Sequence, residues 1–346
     1  MSNKVLSVIV PTYNMENYLD KCLSSLILGE PDSEIMCCLE VIVVNDGSSD
    51  RSSEIAHHYK AKYPNSVKVL DKKNGNYGSC INAALPIARG KYVKVLDADD
   101  WFDTEILRQY IRFLEEIDVD AIINDYKTVK VSGETTEVFS YSKLSADRVF
   151  FLSEMSLYFC DVTMHAVTYQ TELLRSIKYH QSEGLFYTDQ EWIFLPLSQA
   201  QSLRYYPHRL YMYLKGRDGQ SVSRKVWEKN YWMEIQGERN MLQTYSIHKE
   251  GLGNDYLRSR LLFRLKIIFD GMIHISSSQN EKLLRQFDKE LRIQYPDIYK
   301  AASNIHFATY HNLRYYYVRL WRMGVPRRIL KFFLSVLFIL KHRFGI

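Results

Sequence analysis

Short apolar runs alternate with amphipathic stretches along the first 125 residues of the chain. The apolar runs are rich in Val, Ile and Leu and predict buried strands at residues 5–10, 39–44, 67–70, 93–96 and 121–124. The amphipathic stretches predict helices after Asn14, from Glu54 to about Tyr63, from Ser79 towards Ala88 and from Thr104 to Glu116. This alternation predicts an α/β fold with a doubly wound, mostly parallel sheet.

The first four predicted strands all end in polar or turn-forming residues. These ends are Pro11-Thr12-Tyr13-Asn14, Asp46-Gly47, Asn74-Gly75 and Asp97-Ala98-Asp99-Asp100. In a doubly wound sheet, ligands bind in a crevice at the carboxyl ends of the strands. We therefore expect these four segments to line one ligand-binding crevice.

The later part of the chain has a weaker pattern. Strand-like stretches at residues 162–169 and 210–214 extend the α/β region, and from Trp227 onward the apolar spacing is mainly helical. We therefore expect one α/β domain over residues 1–220 and a helical extension over residues 221–346.

The composition is that of a globular protein, with 46% hydrophobic and 14% aromatic residues. Five cysteines, an odd number without a C-x-x-C pair, argue against a disulfide framework and against a zinc site. The N-terminus lacks the charged region and cleavage site of a signal peptide, so we expect a cytoplasmic location. No recognition motif supports nucleic-acid binding.

The positive charge lies in the C-terminal tail, where nine basic residues and no acidic residue follow Asp297. One predicted helical face carries apolar and aromatic side chains, namely Leu313, Tyr316, Tyr317, Leu320 and Trp321. Residues 329–340 are apolar except for Lys331 and Ser335, but the run is shorter than the ~20 residues of a membrane span. We expect residues 313–343 to lie on an anionic membrane surface. Packing on the body of the protein or on a dimer partner is the alternative.

Three carboxylates, Asp97, Asp99 and Asp100, follow the fourth strand within four residues. Like charges this close resist joint ionisation, and a hard divalent cation such as Mg²⁺ or Mn²⁺ would compensate them. In an extended chain Asp97 and Asp99 would point to the same side and could bind one cation. The alternative is a solvated helix start with Asp100 or Asp103 as the cap.

Two other strand ends have features of a nucleotide site. Asp46 could accept a hydrogen bond from a nucleobase imide, although a turn with a helix cap would use the same residue types. Asn74 and Gly75 could place backbone N–H groups near a diphosphate. The glycine spacing of dinucleotide-binding proteins and the P-loop lysine are both missing, so those sites are not supported.

Taken together, these motifs resemble the family 2 glycosyltransferases, which have the GT-A fold. The matching segments, in order and spacing, are residues 8–14, 43–50, 74–75, 88–92 and 97–100. The resemblance implies inverting transfer of a sugar, with UDP the expected nucleotide, in polysaccharide synthesis. It divides the domain into a nucleotide-sugar-binding half, residues 1–125, and an acceptor half, residues 126–220.

The resemblance also implies roles for individual residues. Thr12 and Tyr13 would line the nucleobase pocket, Asp46 would bind the base, Asp97 would lie near the ribose and diphosphate, and Asp99 would bind the metal. The donor site would further include Pro11, Asn14, Asn74, Gly75, Ala98 and Arg217. One departure is visible, because the family often has Ala-Arg-Asn where this chain has Cys80-Ile81-Asn82.

A general base must deprotonate the acceptor hydroxyl. The resemblance places it at Asp189, with Glu191 in reserve; the alternative is a capping box formed by Thr188 and Glu191. Arg217 resembles part of a loop that closes over the donor, although a solvated turn is an alternative. His165 could face the acceptor, but we expect a core histidine.

The expected partners are a nucleotide-sugar donor and a saccharide or lipid-linked acceptor, at the inner face of the plasma membrane. A homodimer is left open. Two functions of other classes remain as alternatives, a nucleotidyltransferase on a similar sheet and a non-catalytic, membrane-associated binding protein.

Overall fold

The computed structural model describes residues 4–157, 162–217, 224–251, 253–271, 277–308 and 314–343. It contains two compact units, residues 1–220 and 221–346. Leu313 and residues 218–223 lie outside the described residues, as do the side chains of residues 337–343.

Unit 1 contains nine strands, which are β1 (Leu6–Thr12), β2 (Leu39–Asn45), β3 (Val67–Asp71), β4 (Tyr92–Val95), β5 (Trp101–Phe102), β6 (Ala121–Lys130), β7 (Thr135–Phe139), β8 (Val167–Gln170) and β9 (Leu203–Lys215). Its helices are α1 (Leu19–Ser24), α2 (Glu34–Cys38), α3 (Ser52–Lys62), α4 (Asn76–Ala84), α5 (Thr104–Glu116), α6 (Leu152–Leu157), α7 (Thr171–Ser176), α8 (Asp189–Trp192) and α9 (Leu195–Gln199). Two short 3₁₀ turns span Leu85–Ile87 and Met164–Ala166.

The strands form one sheet in the order β3-β2-β1-β4-β8-β6-β9-β5, and β7 pairs with β6. The first four strands in this order are parallel, β8 is antiparallel to both of its neighbours, and β6 and β9 are parallel. Every residue of β2 is buried, as a strand covered on both faces requires. The predicted α/β architecture is therefore confirmed, with antiparallel strands added after the parallel half.

A buried carboxylate lies at the amino end of this parallel sheet. Glu40 on β2 accepts hydrogen bonds from the Arg89 side chain (2.9 Å) and from the Ser7 hydroxyl (2.6 Å), and it pairs with Lys68 (2.8 Å). A Cβ added to Gly90 would lie 2.4 Å from the Ser7 backbone nitrogen. Arg89 and Gly90, part of the family-like pattern, therefore have a structural role away from the crevice.

Asn14 does not cap the helix that follows it. Helix α1 begins only at Leu19, and Asn14 instead accepts a hydrogen bond from the Ser49 backbone N–H (2.9 Å). Of the two candidate caps for α5, Asp103 is correct and binds the N–H groups of Glu105 and Ile106, whereas Asp100 is buried three residues before the capping position. The predicted strand at 162–169 is also shorter, because a 3₁₀ turn precedes β8.

Unit 2 is mainly helical, as expected. Its helices are α10 (Arg224–Lys229), α11 (Tyr231–His248), α12 (Asn254–Gly271), α13 (Ser278–Gln294), α14 (Pro296–Ala302), α15 (Tyr317–Arg322) and α16 (Arg327–Arg343). A two-residue ribbon pairs β10 (Phe307–Ala308) with β11 (Arg314–Tyr315).

The aromatic face predicted to lie on a membrane is used inside unit 2. Tyr317 and Trp321 of α15 are buried, Trp321 packs against Phe269 with ring centroids 5.9 Å apart, and the Tyr317 hydroxyl donates to Asp270. For α15 the packing alternative is therefore correct. Among the described residues, no helix combines the length and apolarity needed to cross a membrane.

Helices α11 and α12 bury charged residues between them. Glu234 pairs with Arg264 and accepts from the Trp227 indole N–H (3.0 Å). Glu238, one turn further along α11, is fully buried, and neither of its oxygens has a hydrogen-bond partner among the described residues. Burial raises the pKa of Glu238 to about 8, and the charge of Arg264 opposes this rise.

This buried glutamate predicts a pH-dependent stability. Because the pKa of Glu238 is higher in the folded chain than in the unfolded chain, its contribution to stability is present at low pH and is lost as pH rises towards about 8. Thermal denaturation of Glu238→Gln should give a melting temperature close to that of the wild type at acidic pH and higher than the wild type above pH 8. Glu234→Gln, which breaks an ion pair, should instead lower it at both pH values. A Glu238→Gln effect independent of pH would contradict this account.

Candidate active site

The ends of β2 and β3 meet through Asp46. Asp46 Oδ1 accepts hydrogen bonds from Lys72 Nζ (2.6 Å) and from the Gly75 backbone N–H (3.0 Å). The Asp46 carbonyl accepts from the Asn74 side-chain amide (3.0 Å). Gly47 has φ +76°, and a Cβ there would lie 3.1 Å from the Asn74 nitrogen, so this turn requires glycine. The two predicted segments are thus in direct contact.

The end of β1 joins the same edge. The Thr12 carbonyl accepts from the Asp46 N–H (2.8 Å), and the Asn14 N–H donates to the Ser48 hydroxyl (3.0 Å). Thr12 is buried and its hydroxyl donates to the Val10 carbonyl (3.1 Å), whereas the Tyr13 side chain is 49% exposed. Pro11 is partly exposed at the end of β1. Of these residues, Tyr13 offers the surface on which a planar ligand could stack.

Residues Asp97 to Asp100 form a turn, in which the Asp100 N–H donates to the Asp97 carbonyl (2.9 Å). The extended geometry assumed from the sequence is therefore wrong at this point. Asp97 Oδ1 accepts from the Tyr77 hydroxyl (2.9 Å), and Ala98 is buried. Desolvation, and then the charge of Asp99, raise the pKa of Asp97 to about 7.

Asp100 is held by β9 and does not start a helix. Its two oxygens accept from the Tyr211 hydroxyl (2.6 Å) and from the Leu214 backbone N–H (2.7 Å). The Tyr211 hydroxyl also accepts from the Asp97 N–H (3.1 Å). Burial raises the pKa of Asp100. Tyr211 and Asp100 thereby fix the acidic turn against the second half of the sheet.

Asp99 forms an ion pair with Arg217, which follows β9. Both side chains are largely buried, and the Arg217 guanidinium also lies 5.5 Å from the centroid of the Tyr18 ring. The structure therefore brings together two residues that the sequence assigned to one donor site. The solvated-turn alternative for Arg217 does not fit this burial.

His165 lies beside the acidic turn. One ligand atom each from Asp97, Asp100 and His165 lie within 4.8 Å of one another. The imidazole stacks on Tyr213 (centroids 4.4 Å apart), and its Nδ1 lies 3.2 Å from the Thr163 hydroxyl. Burial lowers the pKa of His165 to about 3, so the ring is neutral at physiological pH. Neutral imidazole is the form that binds metals.

Asp189 lies at the start of α8 and is partly exposed. Its charge contributes to raising the pKa values of Asp97 and Tyr77, so it belongs to the same electrostatic environment. Glu191 is used structurally, because its Oε2 accepts from the Ser182 backbone N–H (2.7 Å). Thr188 makes no side-chain cap, so the capping-box alternative is wrong.

The sequence reasoning missed three residues that hydrogen-bond to these carboxylates, namely Lys72, Tyr77 and Tyr211. Tyr77 lies two residues after Gly75, so its position in the loop was a usable signal. Lys72 and Tyr211 become recognisable only when distant strands are paired. The assembled donors are carboxylates with one imidazole, a set that suits Mg²⁺ or Mn²⁺.

Comparison with known proteins agrees with this geometry. Residues 7–167 match the model of the family described as Glycosyl transferase family 2. An uncharacterized glycosyltransferase of Mycoplasma genitalium, MG025, is 29% identical over 253 residues, covering 69% of this chain and 78% of the relative. Putative glycosyltransferase EpsH of Bacillus subtilis is 35% identical over 126 residues, covering 36% of this chain and 35% of EpsH.

A third relative also has solved structures. The poly(ribitol-phosphate) β-N-acetylglucosaminyltransferase TarS of Staphylococcus aureus is 31% identical over 219 residues, covering 63% of this chain and 36% of TarS. The crystal structure of TarS residues 1–349 with UDP superimposes with a TM-score of 0.62 at 21% identity, covering 86% of this chain and 83% of that chain. The chain thus spans about a third of TarS and EpsH and most of MG025.

The structural likeness establishes the fold, and the family match covers the four strand ends that build the crevice as well as His165. Over residues 7–167 the chain matches glycosyl transferase family 2, and its sheet is GT-A-like.

Proposed function

We propose that the protein transfers a sugar from a UDP-linked donor to an acceptor hydroxyl, with inversion, in cell-surface polysaccharide synthesis. The observation that carries the proposal is that Asp46 and the acidic turn Asp97–Asp100 follow β2 and β4, the two parallel strands on either side of β1. Asp46 suits a nucleobase, and the acidic turn suits a cation with a diphosphate. The names of TarS, a poly(ribitol-phosphate) glycosyltransferase, and of its UDP-GlcNAc complex support the donor and pathway.

Asp99 and Asp97 would hold the divalent cation, and the neutral His165 imidazole is close enough to Asp97 to join them. The cation would supply charge stabilisation for the nucleoside diphosphate as it leaves. Arg217 pairs with Asp99. If Asp99 held a cation instead, the guanidinium would be available to contact diphosphate oxygens, for which its bidentate donors are suited.

Asp189 would act as the general base. Its carboxylate takes the proton of the acceptor hydroxyl while that oxygen attacks the anomeric carbon, and the bond from this carbon to the diphosphate oxygen breaks in the same step. The products are the glycosylated acceptor, the nucleoside diphosphate and protonated Asp189. Glu191 is the reserve for this role, but its bond to Ser182 assigns it to loop structure.

The reaction class is tested by incubating the full chain and Mn²⁺ either with UDP-sugars or with nucleoside triphosphates and sugar phosphates, and identifying the phosphate product. A glycosyltransferase releases UDP and adds one sugar to a saccharide or lipid-linked acceptor, whereas a nucleotidyltransferase releases pyrophosphate from its nucleoside triphosphate. A non-catalytic binding protein releases neither. Thermal-shift measurements with a series of nucleotide sugars, with and without Mn²⁺, would show which nucleotide raises the melting temperature most.

The Asp99 assignment predicts that Asp99→Asn lowers turnover by roughly a hundredfold or more, because the cation's stabilisation of the leaving group is worth several kcal/mol. Mn²⁺ affinity, measured by calorimetry, should fall with it, and the chain should remain folded. If His165→Gln abolishes Mn²⁺ binding while Asp99→Asn retains it, the ligands are instead Asp97, Asp100 and His165.

The general-base assignment predicts that Asp189→Asn reduces kcat by roughly 10²–10⁴-fold. The affinity for UDP, measured by calorimetry, should be unchanged because no donor contact is lost. Glu191→Gln is the matched control and should mainly lower the melting temperature. A catalytic loss confined to Glu191→Gln would transfer the role to that residue.

We also propose that α16 binds the anionic inner surface of the plasma membrane, near a lipid-linked acceptor. Leu330 and Leu334 are buried, whereas a second apolar stripe is exposed, formed by Ile329, Phe332, Phe333 and Val336. Arg328 and Lys331 are exposed on the same helix. Exposed aromatic side chains beside basic ones fit the interface of an anionic bilayer.

Replacing the exposed pair, as in Phe332→Ser/Phe333→Ser, should weaken binding to anionic vesicles by roughly tenfold or more, since each Phe contributes about 1.5–3 kcal/mol when buried. Cosedimentation with phosphatidylglycerol-containing vesicles measures this, with phosphatidylcholine vesicles as the neutral comparison. Ile293→Ser, an exposed apolar residue on α13, is the control. If the double variant and Ile293→Ser bound equally well to phosphatidylglycerol-containing and to phosphatidylcholine vesicles, the membrane role would be excluded.

A further inference from the structure

Lys72, the first residue after β3, has a network of its own at the edge of the crevice. Its ammonium donates to Asp46 Oδ1 (2.6 Å), to the Ser79 hydroxyl (2.8 Å) and to the Lys73 carbonyl (2.8 Å). An ammonium group has three protons, so all of them are used. Lys72 therefore acts on the site through Asp46.

Only one oxygen of the Asp46 carboxylate accepts hydrogen bonds from the described residues. Oδ1 accepts from both Lys72 and the Gly75 N–H, whereas Oδ2 takes no hydrogen bond from any residue that the structure describes. The residue is otherwise buried, so its rotation is restricted. This leaves one oriented acceptor oxygen for a ligand.

The residues around Gly75 leave little room for another arrangement of the Lys72 hydrogen bonds. A Cβ added to Gly75 would lie 2.7 Å from Ser79 Oγ and 3.2 Å from Lys72 Nζ. The Ser79 hydroxyl itself donates to the Asn76 carbonyl (2.6 Å), which ties the network to the first turn of α4. The lysine network thus joins the ends of β2 and β3 to that helix.

The family pattern often has an arginine where this chain has Ile81, which is fully buried. The cation that contacts Asp46 is Lys72, nine residues earlier in the chain.

We propose that Lys72 is a positioning residue that presents Asp46 Oδ2 to the nucleobase and thereby selects bases with an imide N–H. This inference rests on the proposed function, because it requires a nucleotide in the crevice. Uracil offers N3–H as a donor to the carboxylate. Cytosine has an unprotonated N3 at the same place. Its N3 and Asp46 Oδ2 would face each other as two acceptors, and the buried carboxylate oxygen would remain unpaired.

The test is calorimetric binding of UDP and CDP to the full chain and to three variants. Lys72→Met removes the ammonium and keeps most of the stem, Lys72→Arg restores a cation, and Lys73→Met removes the adjacent exposed lysine as the matched control. Lys72→Met should weaken UDP binding by roughly tenfold and CDP binding much less, since the loss is that of one oriented charge-assisted hydrogen bond. Lys72→Arg should recover most of the UDP preference, and Lys73→Met should behave as the wild type.

The outcomes separate this inference from the proposed function. If the wild type binds UDP but Lys72→Met keeps the same preference for UDP over CDP, the positioning role is wrong and the proposed function stands. If Lys72→Met weakens both nucleotides equally and also lowers the melting temperature, Lys72 is only structural, which again overturns the inference. If the wild type binds neither nucleotide, the proposed function fails and the inference fails with it.

Discussion

The structure depends on keeping three mutually repelling carboxylates together at the end of one buried strand. Each carboxylate of the turn after β4 has a different partner. Asp97 accepts from Tyr77, Asp99 pairs with Arg217, and Asp100 takes both a hydroxyl and a backbone N–H from β9. Without such partners, the repulsion and the desolvation cost would oppose folding of this edge.

This requirement links the two halves of unit 1. Residues 1–125 provide the acidic turn, and residues 126–220, which include β9, provide Tyr211, Leu214 and the adjoining Arg217. The same strand pairs in parallel with β6 and antiparallel with β5. The acidic turn is therefore held in place by residues from both parts of unit 1.

The amino end of the parallel strands shows the contrasting case. Glu40 is as buried as the site carboxylates, but its oxygens are satisfied by Lys68, Arg89 and Ser7 within the body of the domain. The pKa of Glu40 is lowered even though burial opposes this, because these hydrogen bonds outweigh the desolvation. A buried carboxylate whose oxygens are all paired, such as Glu40, stabilises the fold. A buried carboxylate with incomplete pairing, such as Asp97 with its raised pKa, is a candidate for binding or catalysis.

The sequence by itself determined the alternating elements, the parallel half of the sheet and the family, because residue periodicity and the polar strand ends are local signals. It also predicted that Asp46 and the acidic turn lie at one edge, since parallel strand ends meet there, whereas Asp189 was predicted from the family resemblance. Only the tertiary structure decided which residues lie against these carboxylates. Arg217 meets Asp99 across 118 residues of chain, and His165 reaches the turn through the pairing of β8 with β4 and β6. In the tail, too, only the tertiary structure showed that Tyr317 and Trp321 of α15 are buried, whereas Phe332 and Phe333 of α16 are exposed. Strand register and the coverage of helix faces arise from long-range packing, which no local pattern contains.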